Sequence, residues 1–289
     1  MFSFELDFLK FLESIRTDFL NALFEGITIL GEETLMILLV VTLWFAVDKR
    51  LAQKLLFATV SSLTLNGIIK NIARVPRPFT RGISCVREDT ATGYAFPSGH
   101  TQEFATWSTV VALKFKKLWL SILTGVLIVL VGFSRLYLGA HYPSDVIVGI
   151  ALGVGIAALS NYLFEKVGEI KRLYLGALII FTPFMVYFMC VAEPLFADFF
   201  KTFGMLGGLT LVSFLDERCG ELSYDVPVWK KILRVVIGVA FAYALKEGLK
   251  LINVFDVIQI SLLIDALRYF VIVFAVGFLC PLFYKKVKL

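Results

Sequence analysis

The 289 residues hold only two histidines, and both sit in short polar stretches beside apolar runs. His141 lies within residues 134–145, SRLYLGAHYPSD, and His100 closes Pro97-Ser98-Gly99-His100. Upstream, Lys70 precedes Arg77-Pro78 in the spacing K-x6-RP. His141 and Asp145 are four apart, so the carboxylate reaches one ring nitrogen and leaves the other free to attack. Asp145 also suits the first turn of a helix on dipole grounds alone. The PSGH stretch reads as a helix start. Proline is at home in a first turn, serine caps, and the free amides behind them cradle an anion. Gly99 lets backbone approach such a ligand. Lys70, Arg74 and Arg77 would share a face if the helix ran through them, with Pro76 and Pro78 ending it. Arginine and lysine clustered in this way suit a phosphoryl group. The bland alternative is cations snorkelling at a span end. Each piece is weak by itself; together they contain every histidine and read as one phosphate-handling site.

The elements that must position these groups are membrane helices. The chain is 58% hydrophobic and 18% charged, with several runs long enough to cross a bilayer. Unalternated apolar runs point to an all-α bundle and away from a closed barrel. Residues 4–30 read as an amphipathic helix at the interface, with Phe4, Phe8, Phe11, Leu12, Phe19 and Leu23 near helical spacing. Nine spans are expected, at approximately 34–48, 52–72, 100–114, 118–138, 144–164, 173–192, 202–216, 232–247 and 263–284. Alternate connections, including 48–50, 114–117, 165–172, 216–231 and 285–289, carry the Lys and Arg excess. The positive-inside rule makes them cytoplasmic, which puts the N-terminus and all three motif pieces outside and the C-terminus inside. The net charge of +5 is thereby explained by topology and calls for no nucleic acid. One integral membrane domain, 1–289, is expected, with a catalytic region at 34–165 and further spans at 173–289. No signal peptide is read at the start. The four cysteines are scattered and suggest neither a disulfide framework nor a metal site.

K-x6-RP, PSGH and SR-x5-H-x3-D, in this order, resemble the three-part signature of the type 2 phosphatidic acid phosphatase superfamily, with every residue present. The resemblance covers residues 70–145. It implies that His141 is a nucleophile forming a phosphohistidine, that Asp145 strengthens it, and that His100 is the general acid. It implies that Lys70, Arg77, Ser98, Gly99 and Arg135 hold the phosphate oxygens, with no metal and no cofactor. The expected activity is that of a membrane phosphomonoesterase or diphosphatase acting on a lipid, with membrane lipids around it. The commonest membrane members have six spans, three before the first motif. Nine spans look more like glucose-6-phosphatase or the sphingosine-1-phosphate phosphatases, so a water-soluble sugar phosphate is a second candidate substrate. A lipid-binding or lipid-translocating protein without catalysis is a candidate of another class, disfavoured because no motif residue is missing. The spans beyond 172 carry no comparable constellation and are left to packing, pocket shaping or a homodimer contact.

Overall fold

A computed structural model describes residues 3–219, 222–252 and 257–289, and among these the chain is all-helical. The helices are α1 (Ser3–Ser14), α2 (Asp18–Thr28), α3 (Glu33–Thr42), α4 (Lys49–Ala73), α5 (Gly99–Phe115), α6 (Leu118–Tyr137), α7 (Pro143–Val167), α8 (Ile170–Cys190), α9 (Ala197–Cys219), α10 (Val228–Lys250), α11 (Ile258–Phe274) and α12 (Cys280–Lys286).

Side-chain placement on these helices is the reverse of a water-soluble protein. In α6, Leu118 is 78% exposed, and Ile122, Val126 and Val129 are exposed with it, while Arg135 is 0% exposed. Apolar groups outside and charged groups inside are what a hydrocarbon solvent selects. Six helical segments are long and apolar enough to cross a membrane: Lys49–Arg81, Leu118–Tyr137, Pro143–Val167, Ile170–Cys190, Pro194–Asp216 and Ile258–Lys286. A seventh is added if Asp18–Gly31 and Glu33–Val47, bent by 44°, form one span. Length and composition thus give six or seven spans among the described residues, against the nine expected. The difference lies in α5, which has only 17 residues, in α10, which carries six Lys, Arg and Glu residues along its length, and in the pairing of α2 with α3.

The chain forms two compact units. The first comprises residues 1–36 and 65–161 and contains all the motif residues. Phe104 and Ala105 of α5 pack there on Ile128 and Val131 of α6. Leu9 and Leu12 of α1 pack on Ile83, Ala95, Leu136, Tyr142 and Val146. Residues 4–30 therefore form two helices, broken at Thr17, whose Oγ1 accepts the Leu20 N–H at 3.3 Å. Of the residues expected to form one apolar face, Phe4 and Phe11 are exposed (61% and 58%) while Leu12 is buried, on a stripe with Glu5 and Leu9.

The second unit comprises residues 37–64 and 162–289. Its core joins Phe57, Val60, Phe164, Leu173, Tyr174, Leu206 and Leu209. Helices α9 and α11 touch so closely that a Cβ on Gly204 would lie 2.0 Å from the Ala266 carbonyl oxygen. Arg234 is buried there and donates to the carbonyls of Ser223 (2.8 Å) and Leu289 (2.6 Å).

Candidate active site

Helix α4 delivers Lys70 in its last turn and stops at Ala73, because Arg74 adopts a left-handed φ of 51°. Arg77 therefore does not share a helical face with Lys70, as the spacing suggested. It sits on an extended segment (φ −70°, ψ 155°) before Pro78. Arg74 is exposed and donates to Asn71 O at 3.1 Å.

Arg77 is buried and held on all sides. Its Nε donates to Gly93 O (3.1 Å), Nη1 to Ala140 O (3.0 Å), and Nη2 to Thr92 O. Nη1 also lies 2.9 Å from His141 Nε2. Three carbonyl acceptors fix the guanidinium plane against the imidazole.

His141 stands in the turn between α6 and α7. Ala140 N donates back to Arg135 O at 3.0 Å and closes that turn. His141 Nδ1 is 3.3 Å from Asp145 Oδ2, which also accepts the Tyr142 N–H at 2.8 Å. Both side chains are about 1% exposed. Burial pushes the His141 imidazole well below its ordinary value, and the charges of Arg77, Arg135, Lys70 and His100 act in the same direction.

Ser98 is the N-cap of α5, so Gly99 and His100 are its first two helical residues and Pro97 stands just outside. The Ser98 hydroxyl pairs with Thr101 Oγ1 at 2.9 Å and does not cap a backbone amide. The first amides of an α-helix have no intrahelical acceptor, so this end remains a donor set for an anion. Ser98 N–H donates to Asp145 O at 3.0 Å, which ties the PSGH turn to the start of α7. A Cβ on Gly99 would lie 3.8 Å from Lys70 Nζ. Lys70, Arg77 and Arg135 all act electrostatically on His100 as they do on His141. All eight residues singled out in the sequence thus lie in one unit, with both imidazoles under the same three cations.

Arg135 lies in the last turn of α6 and is fully buried. Nη1 donates to Thr28 Oγ1 at 3.0 Å; Nε and Nη2 are buried and make no hydrogen bond among the described residues. A buried guanidinium with spare N–H groups is a strong oxyanion ligand. Thr28 was not foreseen, because nothing in sequence links it to a residue 107 positions away. Asn66 was also missed. Its Nδ2 donates to Gln102 Oε1 (2.8 Å) and Pro97 O (3.4 Å), bracing PSGH against α4. It lies one turn before Lys70, a helical spacing that would have flagged it.

Residues 51–169 match the family model described as PAP2 superfamily, and residues 200–289 match PAP2 superfamily phosphatase, transmembrane extension. An undecaprenyl-diphosphatase of Sulfolobus acidocaldarius is 30% identical over 172 residues, covering 59% of this chain and 82% of that one. Phosphatidylglycerophosphatase B of Bacillus subtilis is 33% identical over 175 residues, covering 55% and 82%. The crystal structure of a transmembrane PAP2-type phosphatidylglycerolphosphate phosphatase from Bacillus subtilis aligns with a TM-score of 0.50 at 28% identity, covering 57% of this chain and 86% of that one. With the signature complete, its residues gathered in one unit, and these matches in sequence and fold, the chain is an integral membrane protein belonging to the PAP2 superfamily.

Proposed function

We propose that the protein is a phosphatase that hydrolyses a lipid phosphate or lipid diphosphate through a phosphohistidine on His141. The observation that carries this reading is the orientation of His141: Nδ1 faces Asp145 Oδ2 and Nε2 faces the Arg77 guanidinium. Arginine has only donors, so Nε2 must present its lone pair and Nδ1 must carry the proton. That is the tautomer a nucleophile needs.

Nε2 leaves Arg77 and attacks phosphorus as the guanidinium passes to a phosphate oxygen. The P–O bond to the lipid breaks, its electron pair goes to the leaving oxygen, and His100 supplies the proton. Water, deprotonated by His100, then attacks phosphorus. The N–P bond breaks, its pair returns to Nε2, and inorganic phosphate departs. Lys70, Arg77, Arg135 and the amides of Gly99 and His100 at the start of α5 offset charge on the transferring group. Every step runs through residues of the chain and requires no metal.

The lipid reading is supported by the relatives, whose names specify undecaprenyl diphosphate, phosphatidylglycerophosphate and dolichyl diphosphate chemistry. The outer side of the membrane is the proposed location, from the charge bias of the connections. Phosphate release should be compared for a polyprenyl diphosphate, phosphatidylglycerophosphate and glucose 6-phosphate in detergent. Turnover of the lipids alone is expected; turnover of the sugar phosphate alone would overturn the substrate class. His141→Ala should abolish release, and label from a 32P-substrate should be trapped on wild-type protein but not on this variant.

A further inference from the structure

We propose that Glu5 and Arg16, near the two ends of α1, are positioning residues for the turn that carries His141. The inference rests on the assignment of His141 and Asp145 to the chemistry. Helix α1 lies upstream of residues 51–169, the segment shared with the superfamily, and outside the three-part signature.

Glu5 is 1% exposed, and its Oε1 accepts the Ser144 N–H at 2.9 Å. Ser144 is in the first turn of α7, between Tyr142, whose N–H is taken by Asp145, and Asp145 itself. Two carboxylates thus share the donors of one helix start, and the one from α1 leaves Asp145 free to face His141. A buried carboxylate is costly unless hydrogen-bonded, so Glu5 at this place is a constraint on the backbone it binds. Its charge is felt locally: burial pushes the Tyr142 phenol up to about 12 against the pull of Arg81, with Asp145 and Glu5 adding to the rise.

Arg16 acts on the other side of the same turn. Its Nε donates to Tyr137 O (2.9 Å), an end carbonyl of α6 that lacks an intrahelical donor. Its Nη1 donates to Ser84 O (2.9 Å) and Ser84 Oγ (2.7 Å). Glu13 holds the same serine, accepting its N–H at 2.9 Å and its hydroxyl. Leu9 and Leu12 fill the space between, against Leu136, Tyr142 and Val146. Helix α1 and the connection just after it therefore brace the 138–142 turn, before it at Tyr137 and after it at Ser144. Displacing a reacting group by about 1 Å costs on the order of 100-fold in rate, so loss of either brace should appear in kcat.

The test uses the full chain in detergent, with a polyprenyl diphosphate as substrate. Glu5→Ala and Arg16→Ala should lower kcat by roughly 10- to 100-fold with KM within about twofold. Glu5→Gln should recover most of kcat, since its amide oxygen still accepts the Ser144 N–H. Glu5→Asp, which keeps the charge but shortens the reach, should not. The Asp variant carries the test if the Ala variant does not fold. Wild-type kcat in Glu5→Ala or Glu5→Asp overturns the proposal, and so does a KM increase with kcat intact. Undiminished turnover in His141→Ala would remove the assignment beneath it, a result independent of every Glu5 variant.

Discussion

Arg77 Nη1 sits 2.9 Å from His141 Nε2, so the nitrogen proposed to attack phosphorus is faced by a cation that can only donate. The same guanidinium is pinned by the carbonyls of Thr92, Gly93 and Ala140. Arg77 thus fixes the His141 tautomer and braces two backbone segments, and in the proposed mechanism it is also a phosphate ligand. Arg77→Lys keeps the charge but loses the fork that reaches three carbonyls at once. The expected result is a loss of roughly 100- to 1,000-fold in kcat, measured as phosphate release. Retention of more than a tenth of wild-type kcat would mean that charge suffices and the planar fork does not matter.

Asp145 accepts both from His141 Nδ1 and from Tyr142 N–H, so it fixes the imidazole and the start of α7 together. Asp145→Asn keeps the size and permits the opposite tautomer by offering an amide N–H to Nδ1. A drop in kcat of about 100- to 10,000-fold is expected, with 32P label on His141 forming correspondingly slowly. Rapid labelling in this variant would contradict the orienting role.

The imidazole of His141 is held below its ordinary value of 6.5, first by burial and then by Arg77, Arg135, Lys70 and His100. Above pH 6.5 the ring is neutral folded and unfolded, and contributes no pH dependence. Below it, the unfolded chain binds a proton that the folded chain refuses, so stability falls with pH from there downward. Relative to His141→Gln, the wild-type thermal midpoint should be flat from about pH 8 to 7 and decline below about 6.5. An identical decline in that variant would mean that other groups carry the whole effect.

Thr28 Oγ1 accepts from Arg135 Nη1 and is the part of the site most remote in sequence from the signature. Thr28→Val preserves the shape and removes the acceptor. The guanidinium then loses one fixed contact, worth about 1.5–3 kcal/mol for a charged donor. KM or kcat/KM for the lipid substrate should worsen by about 10-fold or more. Unchanged kinetics would show that Arg135 is held by packing alone.

The candidate site was legible in the sequence because its residues cluster in three short stretches, and the all-helical membrane fold because apolar runs need no tertiary knowledge. Registers set by long-range contact were not. Lys70 and Arg77 look helical by spacing, yet Arg74 turns left-handed and the chain extends. Phe4, Phe8 and Phe11 mark the exposed stripe of α1, but the stripe that meets the site is Glu5, Leu9 and Leu12, in which a buried carboxylate breaks the apolar pattern. Thr28 and Arg16 meet their partners across 107 and 121 positions, a distance no local pattern encodes.

Helix α7 approaches the helix bearing His100 through Gly153, where a Cβ would come 2.6 Å from Gln102 O and 2.7 Å from Ala105 Cβ. Gln102 and Ala105 belong to rigid helical backbone, so they cannot yield as a flexible side chain would. Gly153→Ala should force α5 and α7 apart, at a cost of about 1–3 kcal/mol of stability. Because Ser98 N–H is tied to Asp145 O across the same pair of helices, kcat should fall as well. Gly155, two residues on, is the internal control: nothing lies within 4 Å of its Cβ position. Gly155→Ala should leave activity unchanged and add up to about 1 kcal/mol through helix propensity. Unfolding midpoints and phosphate release for the two variants separate close packing from a general aversion of α7 to alanine. Equal behaviour of the pair would mean that the α5–α7 contact does not set the site's geometry.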